Sequence, residues 1–126
     1  MAVVPVARGG REAVTHYEVV ATFGRGPEPI ASLLECRLET GRTHQVRVHL
    51  ASIGTPLIGD PVYGTGFKSK LRKLPQAQQD KIASFKRQAL HAVALSFVHP
   101  LTGTLLEFNS PLPDDFAMMV DALKEL

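Results

Sequence analysis

The chain has 126 residues, 44% of them hydrophobic, with a net charge of +2, five histidines and one cysteine. That is enough chain for one domain around a single core. A lone cysteine excludes an internal disulfide, and no apolar run reaches the roughly 18 residues a membrane-spanning helix needs.

Residues 1–12 read as a loose lead-in, apolar for only a few residues and without the core of a signal peptide, so a cytoplasmic protein is expected. "VTHYEVVATF" (14–23) alternates, with Tyr17, Val19, Ala21 and Phe23 on one face and His16 and Glu18 on the other, which predicts a half-buried strand. "GRGPEP" (24–29) is a turn by its Gly and Pro content, and "IASLLECRLE" (30–39) is the returning strand of an antiparallel hairpin. Leu34, Cys36 and Leu38 share a face there, which makes Cys36 a small core residue rather than a nucleophile.

Thr43 is the expected N-cap of a helix over 44–53, with Gly54 at the position after its end. Val46, Leu50 and Ile53 form its apolar stripe, while His44 and Arg47 lie together on another face. "TPLIGDPVYG" (55–64) predicts a tight loop, and "LPQAQQDKIASFKRQ" (74–88) predicts a helix within a basic region, 65–87. "ALHAVALSFVH" (89–99) is apolar on both faces and reads as a central strand. "PLTG" (100–103) turns it into a strand over 104–110. Asp114 is the expected cap of a helix over 115–125, whose Phe116, Met119, Val120 and Leu123 fall at i, i+3, i+4 and i+7. The order predicts a single α/β (α+β) domain, a mixed and mainly antiparallel sheet with flanking helices.

Charge is unevenly spread. Residues 68–87 hold Lys68, Lys70, Arg72, Lys73, Lys81, Lys86 and Arg87 against Asp80, whereas Leu101 onward carries five acids against Lys124. The expectation is a basic patch and an acidic tail in separate regions. The patch is either a solvated face or an attraction for a phosphate backbone.

The segment "ETGRTHQVRVHLASIG" (39–54) sets Arg42, His44, Arg47 and His49 within eight positions around a helix start. Helix N-termini already carry partial positive charge, so arginines there want an anion. Arginine grips carboxylate or phosphate with two parallel N–H groups, and Thr43, His44 and Gln45 add hydrogen-bonding groups at the mouth. Asp60 is the local carboxylate, although "GDP" puts it at a turn where bonding to its own backbone is the commoner role. Tyr63 reads equally as a loop anchor or a stacking surface, and His91 and His99 as hydrogen-bonded structural histidines. His44 and His49 are five apart and "HExxH" is absent, so no metal is expected.

The block "LETGRTHQVRVHLASIGTPLIGDPVYG" (38–64) closely resembles the third signature region of RluA-type RNA pseudouridine synthases. "VTHYEVV", "RQALHAVALSFVHP" and "FNSPLPDDF" extend that resemblance over residues 14–120, the C-terminal portion of the catalytic domain. The resemblance implies an isomerase that breaks the N1–C1′ glycosidic bond of uridine and rejoins the base through C5, without cofactor or metal. Its target is usually ribosomal RNA and sometimes tRNA, with the uridine flipped from the stack. It also implies that Arg47 forms a salt bridge with the family's aspartate and that Leu90 lines the site. Arg42, Thr43, His44, Gln45, Tyr63, Lys70, Arg72 and Lys73 are the corresponding candidates for RNA contact. The family's aspartate lies in an "HRLDxxTSG"-type segment, which is not among these 126 residues. The partner of Arg47 is therefore expected on another stretch of protein, the N-terminal half of the catalytic domain, and the chain alone is expected to be catalytically incomplete. A non-catalytic RNA-binding module is the alternative, as is a fold fragment that self-associates through uncovered apolar surface.

Overall fold

The structure, a computed structural model, describes residues 2–3, 13–25, 27, 29–39, 43–64 and 66–126. In chain order these form β1 (Ala2–Val3), β2 (Thr15–Phe23), β3 (Ala31–Leu38), α1 (Gln45–Ser52), α2 (Phe67–Leu71), α3 (Gln76–Ala83), β4 (Ala94–Val98), β5 (Leu105–Asn109) and α4 (Asp114–Lys124). One sheet has the order β1-β2-β3, the other is the β4-β5 pair, and every described pairing is antiparallel. Helices flank them, so the α+β expectation holds.

The first hairpin pairs Thr15 with Leu38 at one end and Phe23 with Ala31 at the other. Gly24, at φ +110°, turns the chain, and Ile30 N–H donates to Phe23 O at 2.8 Å to close it. Alternation along β2 is interrupted by a bulge between Val19 and Ala21. An extra residue in one strand turns neighbouring side chains outward together. Val19, expected on the inner face, is accordingly 49% exposed beside Val20, whereas Phe23 is buried. Cys36 is half-buried rather than core, and desolvation pushes its thiol pKa up. The lead-in is not wholly loose, since β1 pairs Ala2 and Val3 with His16 and Thr15. Residues 4–12 lie outside the described set.

The core gathers Phe23, Leu74, Ile82 and Phe85 with Phe116, Met119, Val120, Ala122 and Leu123 of α4. The four α4 positions read from helical spacing are all buried. Phe85 and Phe116 meet edge to face at 6.0 Å. Pro113, not Asp114, precedes the helix as its cap, since proline's fixed φ suits the extended approach. Asp114 becomes the first helical residue and, with Asp115, still faces the positive helix end.

Within the basic region the expected helix shortens to α3, preceded by the five-residue α2, which periodicity does not announce. The expected separation of basic patch and acidic tail fails. Ile82 and Phe85 bury against the apolar stripe of α4, and this draws the neighbouring charges together. Arg87 donates to both carboxylate oxygens of Asp115 at 3.1 Å, and Lys81 lies 3.4 Å from Glu125. Such exposed pairs add little stability each, but they remove two cations from the patch. Lys68, Lys70, Arg72, Lys73 and Lys86 stay exposed, with no ion pair among the described residues.

Residues 89–99 do not form a central strand. Among the described residues β4 pairs only with β5, and Leu95, Phe97, Val98, Leu105 and Phe108 are 43–61% exposed. His91 and His99 are hydrogen-bonded as expected. His91 Nε2 lies 3.4 Å from Ser110 O, and His99 Nδ1 accepts from the N–H groups of Leu101 and Thr102 at 3.1 and 3.2 Å. No described helix is long and apolar enough to cross a membrane.

Candidate anion site at the α1 N-terminus

The site begins with how α1 is held. Its C-terminal end closes through Gly54 (φ +80°), whose N–H donates to Ala51 O at 3.0 Å, while Thr55 N–H reaches back to Leu50 O at 2.9 Å. This is the glycine-terminated arrangement expected from the sequence. The N-terminal end differs from expectation. His44 rather than Thr43 holds the cap position, in the left-handed region at φ 51°, ψ 26°, and makes no side-chain cap bond. Non-glycine residues adopt that conformation at a cost, and such strain concentrates at functional sites.

The buried face of α1 is partly polar. Val46 and Leu50 are buried as expected, but Ile53 is 44% exposed, and Gln45 and His49 are inside. Gln45 Nε2 donates to Val14 O at 2.9 Å and to Thr15 Oγ1 at 3.0 Å. With that bond accepted, the Thr15 hydroxyl can donate its own proton to His49 Nδ1, 2.8 Å away. Gln45, expected at the mouth, is thus an internal brace tying α1 to β2. It sits directly opposite the strand, where a polar side chain must find partners.

His49 must stay neutral to accept from Thr15. Desolvation by burial lowers its pKa from the ordinary 6.5. The unfolded chain therefore binds a proton that the folded chain refuses, so this contribution is whole above pH 6.5 and is lost as pH falls below it. The melting temperature should fall between pH 7.5 and 5 more steeply than in His49→Asn, whose amide oxygen also accepts from Thr15. Parallel pH profiles would show that His49 is not the group responsible.

On the outer side of α1, Arg47 meets Asp60. Nε donates to Oδ2 at 2.7 Å and Nη2 to Oδ1 at 2.9 Å, a two-point grip in which the Asp60 side chain is fully buried and that of Arg47 is 12% exposed. Asp60 also keeps the turn role suggested by "GDP", since Oδ1 accepts from the N–H groups of Val62 and Tyr63 at 3.0 and 3.1 Å. The Arg47 hydrogen bonds, helped by these two N–H groups, hold the Asp60 carboxyl far below the usual carboxylate range. The same pairing pushes the Arg47 pKa up. The expectation that the partner of Arg47 comes from elsewhere is therefore corrected in one respect: a carboxylate of this chain already occupies part of the guanidinium. The loop 55–64 is tight enough to bring Asp60 back to the helix turn that bears Arg47.

Tyr63 completes the cluster. Its ring centroid lies 5.2 Å from Arg47 Cζ, and the exposed His44 ring stands edge-on to it at 6.2 Å. The structure thus brings together His44, Arg47 and Tyr63, three of the residues picked from sequence, with Asp60 bonded to the Arg47 guanidinium and to the Tyr63 backbone N–H. Thr43 is exposed nearby in sequence, and Arg42 lies outside the described residues. Leu90 is half-buried, in a segment tied to the loop by Ala89 N–H to Ile58 O at 2.8 Å. Lys70, Arg72 and Lys73 are exposed on and after α2. No group of three metal-ligating side chains occurs among the described residues.

Residues 5–52 match the sequence model of the RNA pseudouridylate synthase family. The chain is 48% identical, over 98% of its length, to ribosomal large subunit pseudouridine synthase D of Zymomonas mobilis, of which it covers 35%. It is 44% identical to the Xanthomonas campestris protein of the same name, over 92% of the chain and 33% of that relative. An RNA pseudouridine synthase of Bacillus subtilis, YlyB, is 45% identical over 95% of the chain and 33% of its own length. The chain spans about a third of the length of the curated relatives it matches.

Proposed function

We propose that this chain, which matches the RNA pseudouridylate synthase family over residues 5–52 and is 48% identical to one such synthase over 98% of its own length, supplies the arginine-bearing C-terminal portion of the catalytic domain of an enzyme converting uridine to pseudouridine in RNA. The names of its relatives favour ribosomal RNA of the large subunit over tRNA, and with it the cytoplasm as the place of action. The observation that carries the reading is Arg47: a guanidinium fixed at a helix start, with a tyrosine against it and one terminal nitrogen, Nη1, that makes no hydrogen bond among the described residues.

In this reading Arg47 orients and stabilises the family's aspartate, which resides on a segment outside these 126 residues. The reaction breaks the N1–C1′ bond and forms a C5–C1′ bond in its place, so atoms are conserved and no redox partner is required. Charge develops around an ionised carboxylate and the detached base, where a fixed guanidinium stabilises most. Tyr63 and the strained, exposed His44 form the rim against which the flipped uridine rests. Lys68, Lys70, Arg72 and Lys73 attract the phosphate backbone. The missing segment also covers the apolar faces of β4 and β5, which accounts for their exposure in this chain.

The test is reconstitution. The chain alone should give no pseudouridine. Joined to the aspartate-bearing segment of a relative, or mixed with it, it should regain activity. Arg47→Ala should then lower the rate by about 100-fold or more. An unaltered rate in that variant would refute the role given to Arg47.

A further inference from the structure

The geometry of the Arg47–Asp60 pair says more than that a salt bridge exists. A guanidinium is planar and offers its N–H donors along more than one edge, each able to fit a carboxylate. Asp60 takes the side edge, made by Nε and Nη2. The end edge, made by Nη1 and the second hydrogen of Nη2, takes no hydrogen bond among the described residues. Resting on the reading of Arg47 given above, we propose that Asp60 is a positioning residue, which holds the guanidinium side-on so that its end edge is presented to a second carboxylate, the one that completes the site.

Asp60 is equipped for this because backbone groups hold it in addition to Arg47. The Val62 and Tyr63 N–H groups fix Oδ1, and Gly64 N–H donates to the Asp60 carbonyl at 3.0 Å. The backbone of the preceding residue, Gly59, packs against Arg87 so closely that a Cβ there would lie 2.1 Å from the carbonyl oxygen. The carboxylate is thus a rigid wall and Arg47 the longer, flexible side chain leaning on it. Tyr63 lies against the guanidinium at 5.2 Å, so an incoming acid meets it along its open edge.

This arrangement has an electrostatic signature. Two carboxylates on different edges of one guanidinium share a single positive charge. Asp60 therefore raises the pKa of the second acid relative to what Arg47 alone would impose. Asp60→Asn keeps the shape. With its oxygen at the Oδ1 position it retains the bonds to Nη2 and to the two backbone N–H groups, but it turns an amide N–H toward Nε–H and removes the charge. In the reconstituted synthase, Asp60→Asn should lower kcat by about tenfold or more, change KM less than about threefold, and move the acid limb of the kcat/KM profile down by about one pH unit. Asp60→Glu keeps the charge and misplaces the edge, so kcat should fall with the acid limb unmoved.

The outcomes are separable. No activity in the unmutated reconstituted synthase overturns the proposed function itself. With activity present, a KM rise at unchanged kcat makes the second anion an RNA phosphate and overturns the inference, as does wild-type kcat in either variant. Equal acid-limb shifts in both variants leave only a structural role for Asp60 and also overturn it. Should Asp60→Asn fail to fold, Asp60→Glu decides by the kcat criterion.

Discussion

Replacing Gly59 with alanine is expected to cost roughly 3 kcal/mol or more of stability and to dislodge Asp60 from Arg47. Two terms add. Gly59 has φ +78°, where a side chain pays about 1–2 kcal/mol for the left-handed conformation. Its new Cβ would also stand 2.1 Å from the Arg87 carbonyl oxygen and 3.0 Å from its carbon. Both are backbone atoms that cannot rotate aside. The strap from Ile58 O to Ala89 N–H would have to open to relieve the clash. Gly54 is the control, because it has φ +80° but nothing within 4 Å of the same position. Gly54→Ala should therefore show only the conformational term. Urea unfolding of the two variants measures the difference. Equal losses would mean that the loop does not press on the Arg87 backbone and that Asp60 is held less rigidly than argued.

The comparison of these glycines shows what can be read from residues alone. Gly54 is legible, because it follows an amphipathic stretch and ends a helix, and helix ends are local. The tight loop at 55–64 is legible in the same way. The clash at Gly59 is not, because its partner is 28 positions away in the chain. Likewise the stripe Phe116, Met119, Val120 and Leu123 appears by spacing, but the drawing of Lys81 and Arg87 toward the acidic tail follows from packing of α3 on α4. Within the site, Arg47 stands out by charge placed against a helix dipole, a local signal. Asp60 can be seen as a turn residue, yet its second role as the wall behind Arg47 needs the loop's path in space. Gln45 and His49 show the limit most plainly. Polar residues near an arginine suggest a ligand, and only the strand opposite reveals that both face Thr15.

Residues 89–99 are apolar on both faces, yet β4 pairs only with β5 among the described residues and its apolar side chains are exposed, and a pair of phenylalanine substitutions turns this into a measurement. Phe116 is 7% exposed and packed on Phe85, so Phe116→Ala should cost about 3–5 kcal/mol in this chain and in the reconstituted enzyme alike. Phe97 is 43% exposed and its main partner is Phe108, stacked at 5.8 Å and itself 52% exposed. In the 126-residue chain Phe97→Ala should cost less than about 1.5 kcal/mol, the order of one aromatic pair at a wet surface. A strand that is apolar on both faces belongs under cover on both. If the remainder of the catalytic domain lies over β4 and β5, water leaves that surface and Phe97→Ala should then cost nearly as much as Phe116→Ala. Denaturant unfolding of both variants, with and without the added segment, reads this directly. A Phe97 cost that stays small in the active, reconstituted enzyme would mean that the hairpin face is still wet, and that the proposed segment meets this chain somewhere else.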